Sequence, residues 1–159
     1  MDIIPSFLID HNKLLRGIYV SRQDSIGVET ITTFDVRMKE PNREPVIGSA
    51  AMHTIEHLGA TFLRNEDAYK DELIYFGPMG CFTGVYILMK GDLESKDIAK
   101  MVTEMFEFVV SFEGEIPGNM AKDCGNHLDH NMAMAKYEAK KYLEEVLYQL
   151  KDENLSYPE

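Results

Sequence analysis

"SAAMHTIEHLGATFL", residues 49–63, carries a helix and a chemistry in one stretch. Met52, Ile55, Leu58, Gly59 and Phe62 recur at the spacing of one buried helix face. His53 and His57 stand off that stripe. At about 100° per residue they lie roughly 40° apart, and Glu56 projects within about 100° of both. The helix can therefore anchor in a core and still present a separate polar face. Ser49 is the expected N-cap, and the helix is predicted to run to about Asn65. Two imidazoles at i, i+4 reach one metal ion, and a neighbouring carboxylate can act as general base. The order H-x-x-E-H inverts the H-E-x-x-H of other metal sites. The same residues would equally suit two solvent-exposed histidines on a polar face.

Outward from this helix, the flanking segments read as strands and further helices. "VETITTFDVRM" (28–38) alternates. Val28, Thr30, Thr32, Phe34, Val36 and Met38 share one face, and Glu29, Asp35 and Arg37 the other, which predicts a strand with a single buried face. "PNREP" (41–45) breaks the chain. "DELIYF" (71–76) reads as a short strand and "GPMG" (77–80) as a turn. "CFTGVYILMK" (81–90) is apolar on both faces, hence an interior strand. Ile98, Met101, Val102, Met105, Phe106, Val109 and Phe112 mark an amphipathic helix from Ser95 to about Phe112. A similar pattern runs from about Asn131 to Leu150, and the polar tail 151–159 is expected to fray. The fold class expected is α+β, an antiparallel sheet covered by helices, in one domain over 1–159.

The composition narrows the function classes. Of 159 residues, 45% are hydrophobic, enough for a real core, yet no apolar run reaches the length of a membrane span. "MDIIPSFLIDHNKLL" has an early acid and no basic region before an apolar one, so a secretory signal is not expected and a cytoplasmic location is. The net charge of −11 argues against nucleic acid and anionic membrane as partners. With two cysteines, Cys81 and Cys124, one disulfide is possible, but metal or catalytic use is the better expectation.

A metal on the histidine pair needs at least one more protein ligand. Cys124 in "KDCGNHLDH" is one candidate, with Gly125 giving the backbone freedom to approach. Cys81, at the expected start of the interior strand, is another, although a cysteine inside an apolar strand is more often a small buried hydrophobe. His11, in "IDHNKLL", is a third. His127 and His130, just beyond Cys124, are a fourth, although they read more readily as surface residues near a helix start.

Five segments together resemble one family. "SFLIDH" (6–11), "FDVRMKEPNRE" (34–44), "HTIEHL" (53–58), "GPMGCFTG" (77–84) and "CGNHLDH" (124–130) match the S-ribosylhomocysteine lyase (LuxS) family in order and spacing. The match runs from Ser6 to about Leu150. Each segment alone is weak; the ordered set is highly specific. The resemblance implies a fold like that of the H-x-x-E-H processing peptidases. It implies that His53, His57 and Cys124 hold one divalent metal per chain, with water or a substrate oxygen in the fourth place. The family metal is ferrous iron, with zinc or cobalt able to substitute. Glu56 and Cys81 are implied as the two acid/base groups, and Ser6, His11 and Arg37 as substrate-binding residues. The small-molecule substrate would be S-ribosylhomocysteine, cleaved to homocysteine and 4,5-dihydroxy-2,3-pentanedione, the autoinducer-2 precursor. A homodimer with interfacial active sites is implied as well.

Two positions depart from the family pattern. Tyr75 stands six residues before Cys81, where many relatives carry an acid, and Phe82 follows Cys81 where relatives often have Arg or Gln. The first change removes a carboxylate expected near the amino-acid end of the substrate. Two other readings compete: an H-x-x-E-H metallopeptidase, and a non-enzymatic metal-binding descendant. The first usually needs a downstream glutamate ligand and a much longer chain.

Overall fold

The computed structural model describes Ile4 and residues 7–158. Four strands form one antiparallel sheet in the order β1-β2-β4-β3: β1 Gly17–Ile26, β2 Glu29–Arg37, β3 Leu73–Pro78 and β4 Gly84–Lys90. Three helices, α1 Ser49–Asn65, α2 Ser95–Ser111 and α3 Met132–Glu145, pack together on one face. The expected α+β class holds, and β4 is interior, flanked by β2 and β3. No described helix is long and apolar enough to cross a membrane.

The core lies between helices and sheet. Phe34 and Val36 from β2, Val85, Ile87 and Met89 from β4, and Phe76 from β3 meet Met52, Ile55 and Leu58 of α1 and Met101, Met105 and Phe106 of α2. Helix α1 spans the residues expected, but its cap position is Gly48 and Ser49 is its first residue, with no side-chain cap bond. The reading of 28–38 as a strand with a single buried face needs correction. Asp35 and Arg37, on the face away from the helices, are 1% and 3% exposed. Val28, assigned to the core face, is fully exposed beside Gly27, between β1 and β2. The interior strand begins at Gly84 rather than at residue 81, so Cys81 sits in the preceding turn, exposed.

Strand β1 carries no clear alternation and went unread in the sequence. Its Ile18 and Tyr19 point to opposite faces and are both fully buried. Tyr19 is buried because the C-terminal tail lies over the outer face of the sheet. The expectation of a frayed tail gives way here. Tyr157 stacks on Tyr19 with ring centroids 4.8 Å apart and planes 12° from parallel, and its hydroxyl donates to Asp35 Oδ2 at 2.9 Å. Asn154 Nδ2 donates to the Arg16 carbonyl at 2.9 Å. The approach is close enough that a Cβ on Gly17 would sit 2.2 Å from the Asn154 carbonyl oxygen, so glycine is required there.

Removing residues 156–159 is expected to lower stability by about 2–4 kcal/mol, through the lost aromatic stack and a buried carboxylate left one donor short. Urea unfolding would show a lower midpoint; an unchanged midpoint would mean the docking contributes nothing.

Candidate functional site

Helix α1 sets His53 and His57 on one side, half-buried, while its opposite stripe enters the core. What turns these rings into a site is the connection between α2 and α3, residues 112–131. It runs back across α1 and touches both histidines with backbone carbonyls. The Asp129 oxygen lies 2.9 Å from His53 Nδ1, and the Pro117 oxygen 2.7 Å from His57 Nδ1. A carbonyl only accepts, so each Nδ1 carries the proton and each Nε2 keeps its lone pair. Gly118, at φ +70°, shapes the turn just after Pro117 against the His57 ring.

The same connection delivers Cys124. Its Sγ lies 3.4 Å from His53 Nε2 and accepts the Asn126 N–H at 3.4 Å. Donor atoms around one tetrahedral ion, with bonds of about 2.0–2.3 Å, stand roughly 3.3–3.8 Å apart. The rings of His53 and His57 are 4.6 Å apart and 85° from parallel, so their in-plane lone pairs can converge on one point. Two imidazole lone pairs and a thiol sulfur form a donor set that fits a borderline divalent ion.

A fourth residue joins them, which corrects the surface reading of His130. One ligand atom from each of His53, His57, Cys124 and His130 lies within 4.8 Å of the others. The Thr54 hydroxyl donates to Ala50 O at 2.9 Å and accepts the Asn131 N–H at 3.0 Å, so its contact with His130 Nδ1 at 3.1 Å is donation by the imidazole. His130 Nε2 is then a bare lone pair, buried and without a partner. Burial and the neighbouring His53 and His57 push the His130 pKa below its ordinary value, which favours the neutral ring. His130 stacks on His53 at 4.1 Å with planes only 16° apart. Its lone pair therefore runs beside that of His53 rather than towards the same point. The signal available in the sequence was its place in the heptapeptide that also carries Cys124. His127 does not join the cluster.

Glu56 is half-buried and lines the same cleft, about 540 Å³, with His53, His57, Asp123 and Cys124. Cys81 is elsewhere. It lines a second cleft of about 290 Å³ with His11, Arg37, Met79 and Tyr157. Among the described residues, none lines both clefts. His11 is held by a contact of its Nδ1 with the Ile9 carbonyl at 2.8 Å. Ser6 lies outside the described residues.

Cys81 is electrostatically prepared. Arg37 Nη1 donates to Thr83 Oγ1 at 2.6 Å, which leaves the Thr83 hydroxyl proton for Cys81 Sγ at 3.0 Å. The same Nη1 lies 3.8 Å from the sulfur. Partial burial pushes the Cys81 thiol up, but the Thr83 bonds and the Arg37 charge outweigh it and hold the pKa below the ordinary thiol value. Burial likewise opposes the charge on Arg37, and Asp35 more than offsets it through bonds of 3.0 and 2.5 Å. Phe82, directly after Cys81, holds a positive φ of 56°, costly for a bulky residue, and its carbonyl accepts the Ile47 N–H. Of the two departures noted in the sequence, Phe82 lies within the cysteine turn, whereas Tyr75 folds over Gly77 and lines a separate hollow rather than the Cys81 cleft.

Known proteins resemble the chain over nearly its whole length. The S-Ribosylhomocysteinase (LuxS) family profile matches residues 4–153. The S-ribosylhomocysteine lyase of Phocaeicola vulgatus is 61% identical over 158 residues, covering 99% of this chain and 98% of the relative. That of Porphyromonas gingivalis is 61% identical over 159 residues, the full length of both. That of Clostridium beijerinckii is 55% identical over 158 residues, 99% of each. With a profile spanning nearly the whole chain and relatives this similar from end to end, the chain belongs to the S-ribosylhomocysteinase (LuxS) family.

Proposed function

We propose that the protein cleaves the thioether of S-ribosylhomocysteine, releasing homocysteine and 4,5-dihydroxy-2,3-pentanedione. The observation that carries the reading, beside the family, is the pairing of a metal-type donor set with a separate, activated thiol. A hydrolytic metal site would need only the first. His53 Nε2, His57 Nε2 and Cys124 Sγ would hold one divalent ion, ferrous iron by family resemblance, with zinc or cobalt as substitutes. Such an ion supplies Lewis acidity towards a sugar carbonyl and the negative charge of its enolised form.

The chain's own residues carry the protons. To move the carbonyl along the sugar, a proton leaves the carbon beside it and another arrives on the former carbonyl carbon. Glu56, beside the histidines, and the Cys81 thiolate serve as the two carriers on different sides of the substrate. Once sulfur sits on the carbon β to the carbonyl, removal of a proton from the carbon between them breaks the carbon–sulfur bond, and homocysteine departs as a thiolate with the electron pair and takes up a proton. Arg37 and His11 line the Cys81 cleft and are suited to binding the substrate's polar groups; Ser6 is proposed with them from the family pattern. Tyr75 brings no charge to the neighbouring surface where relatives place a carboxylate.

Because no described residue lines both clefts, we propose that each active site forms from the metal cleft of one chain and the cysteine cleft of another, in a homodimer. The outer face of the sheet supports this, since Tyr75, Tyr86 and Leu88 line an apolar hollow there and Phe7 and Leu8 are 76% and 70% exposed. A reducing, cytoplasmic location suits two unpaired thiols.

Two measurements test the assignment. In metal analysis, His57→Ala should lose nearly all bound ion, while His130→Phe, whose ring lies alongside the shared point, should keep about one ion per chain. Loss in both would make His130 a ligand. In paired assays with S-ribosylhomocysteine, Cys81→Ala and Glu56→Gln should keep metal and fold while thiol release falls by about 100-fold or more. Wild-type metal-loaded protein that releases no thiol would refute the activity, and a Cys81→Ala variant that lost its metal would exchange the roles of the two cysteines.

A further inference from the structure

The C-terminal tail reaches the cysteine cleft through one group that the reaction above does not use, the Tyr157 hydroxyl. It is the first link of a chain of contacts that ends on sulfur. Tyr157 donates to Asp35 Oδ2 at 2.9 Å. Asp35 grips Arg37 with both oxygens, Oδ1 to Nε at 3.0 Å and Oδ2 to Nη2 at 2.5 Å. That two-point grip leaves Nη1 as the edge facing Thr83 Oγ1 at 2.6 Å and Cys81 Sγ at 3.8 Å. Asp35 and Arg37 are almost wholly buried, and the tyrosine ring is fixed by its stack on Tyr19. Tyr157 also lines the cleft itself.

We infer that Tyr157 is a positioning residue for the reaction: its hydroxyl holds the Asp35–Arg37 pair so that the guanidinium presents its free edge to Cys81. The inference rests on the proposed role of Cys81, but the contacts that carry it do not. The physical effect has a definite sign. A hydrogen bond to Asp35 draws off part of the carboxylate's charge, so more of the Arg37 charge is felt at the sulfur. Without the hydroxyl, Asp35 neutralises Arg37 more completely and the guanidinium gains freedom to turn. Both changes disfavour the thiolate. Among the described residues, the groups facing Cys81 are Arg37 and Asp35 from β2, Tyr86 from β4, Thr83 beside it in the chain, His11 from the N-terminal segment and Tyr157 from the tail. Tyr157→Phe alters only the last of these.

Tyr157→Phe keeps the ring and its stack and removes the hydroxyl alone. The measurement is the rate of iodoacetamide labelling of Cys81 against pH in metal-loaded protein, read on the Cys81 peptide so that Cys124 does not contribute. Thr83→Val, which removes a direct donor to the sulfur, sets the scale. The midpoint of the Tyr157→Phe profile should move up by about half a pH unit, or about threefold less labelling at a pH below the midpoint. A profile that is unchanged, or that moves down while Thr83→Val moves up, overturns the inference. Labelling reads the thiol and not turnover, so the two readings fail separately. A shift in labelling with no shift in the acidic limb of kcat/KM would keep Tyr157 as the positioning group and count against Cys81 as a proton carrier.

Discussion

Two backbone carbonyls decide what helix α1 can do. Pro117 O and Asp129 O each accept a hydrogen bond from the Nδ1–H of a histidine, and so turn both Nε2 atoms to the same small space. An i, i+4 histidine pair on a free helix has neither tautomer nor ring angle set; here both are set by one connection lying across the helix. That connection is itself tied down, since Asn131 N donates to Ala50 O and to Thr54 Oγ1 of α1. The residues that deliver Cys124 therefore also orient the histidines, and the donor set is built as a unit. The buried stripe of Met52, Ile55 and Leu58 gives the helix a rigid seat for it.

A second constraint operates on the far side of the sheet. Burying Arg37 is costly unless a carboxylate meets it, and removing one partner of such a pair typically costs about 3–5 kcal/mol. Asp35 meets it, and the C-terminal tail seals the pair from water. The outcome is a guanidinium whose remaining edge faces a thiol. The two prepared regions, donor set and thiol, lie in different clefts of the chain. That separation is the structural basis for proposing that two chains complete each site.

Much of this was legible in the sequence where a pattern is periodic and local. The stripes of α1 and α2 were, because helix period and burial coincide at Met52, Ile55, Leu58, Met101 and Met105. The joining of His53 and His57 with Cys124 was legible only through the ordered motifs, since nothing in "KDCGNHLDH" says which part of the fold it will touch. His130 was misread as a surface residue because its burial depends on the path of the connection over Thr54. Strand β1 was missed because the tail covers one of its faces and erases the alternation that marks a half-exposed strand. The tail was taken for a frayed end because its composition is polar; a single tyrosine finding a buried carboxylate reversed that. Asp35 and Arg37 looked solvent-facing for the same reason, as period-2 patterning carries no information about what lies beyond the sheet.

The most direct test of the two-chain site is complementation. Cys81→Ala lacks one cleft's chemistry and His57→Ala the other's, and each alone should release almost no thiol from S-ribosylhomocysteine. Mixed in equal amounts and allowed to exchange subunits, half of the resulting dimers pair one variant with the other, and each such dimer regains one complete site. The account predicts recovery to about a quarter of wild-type thiol release in the presence of the divalent ion. Mixed dimers that form, as read by mass spectrometry, but release no more thiol than either variant alone would contradict it.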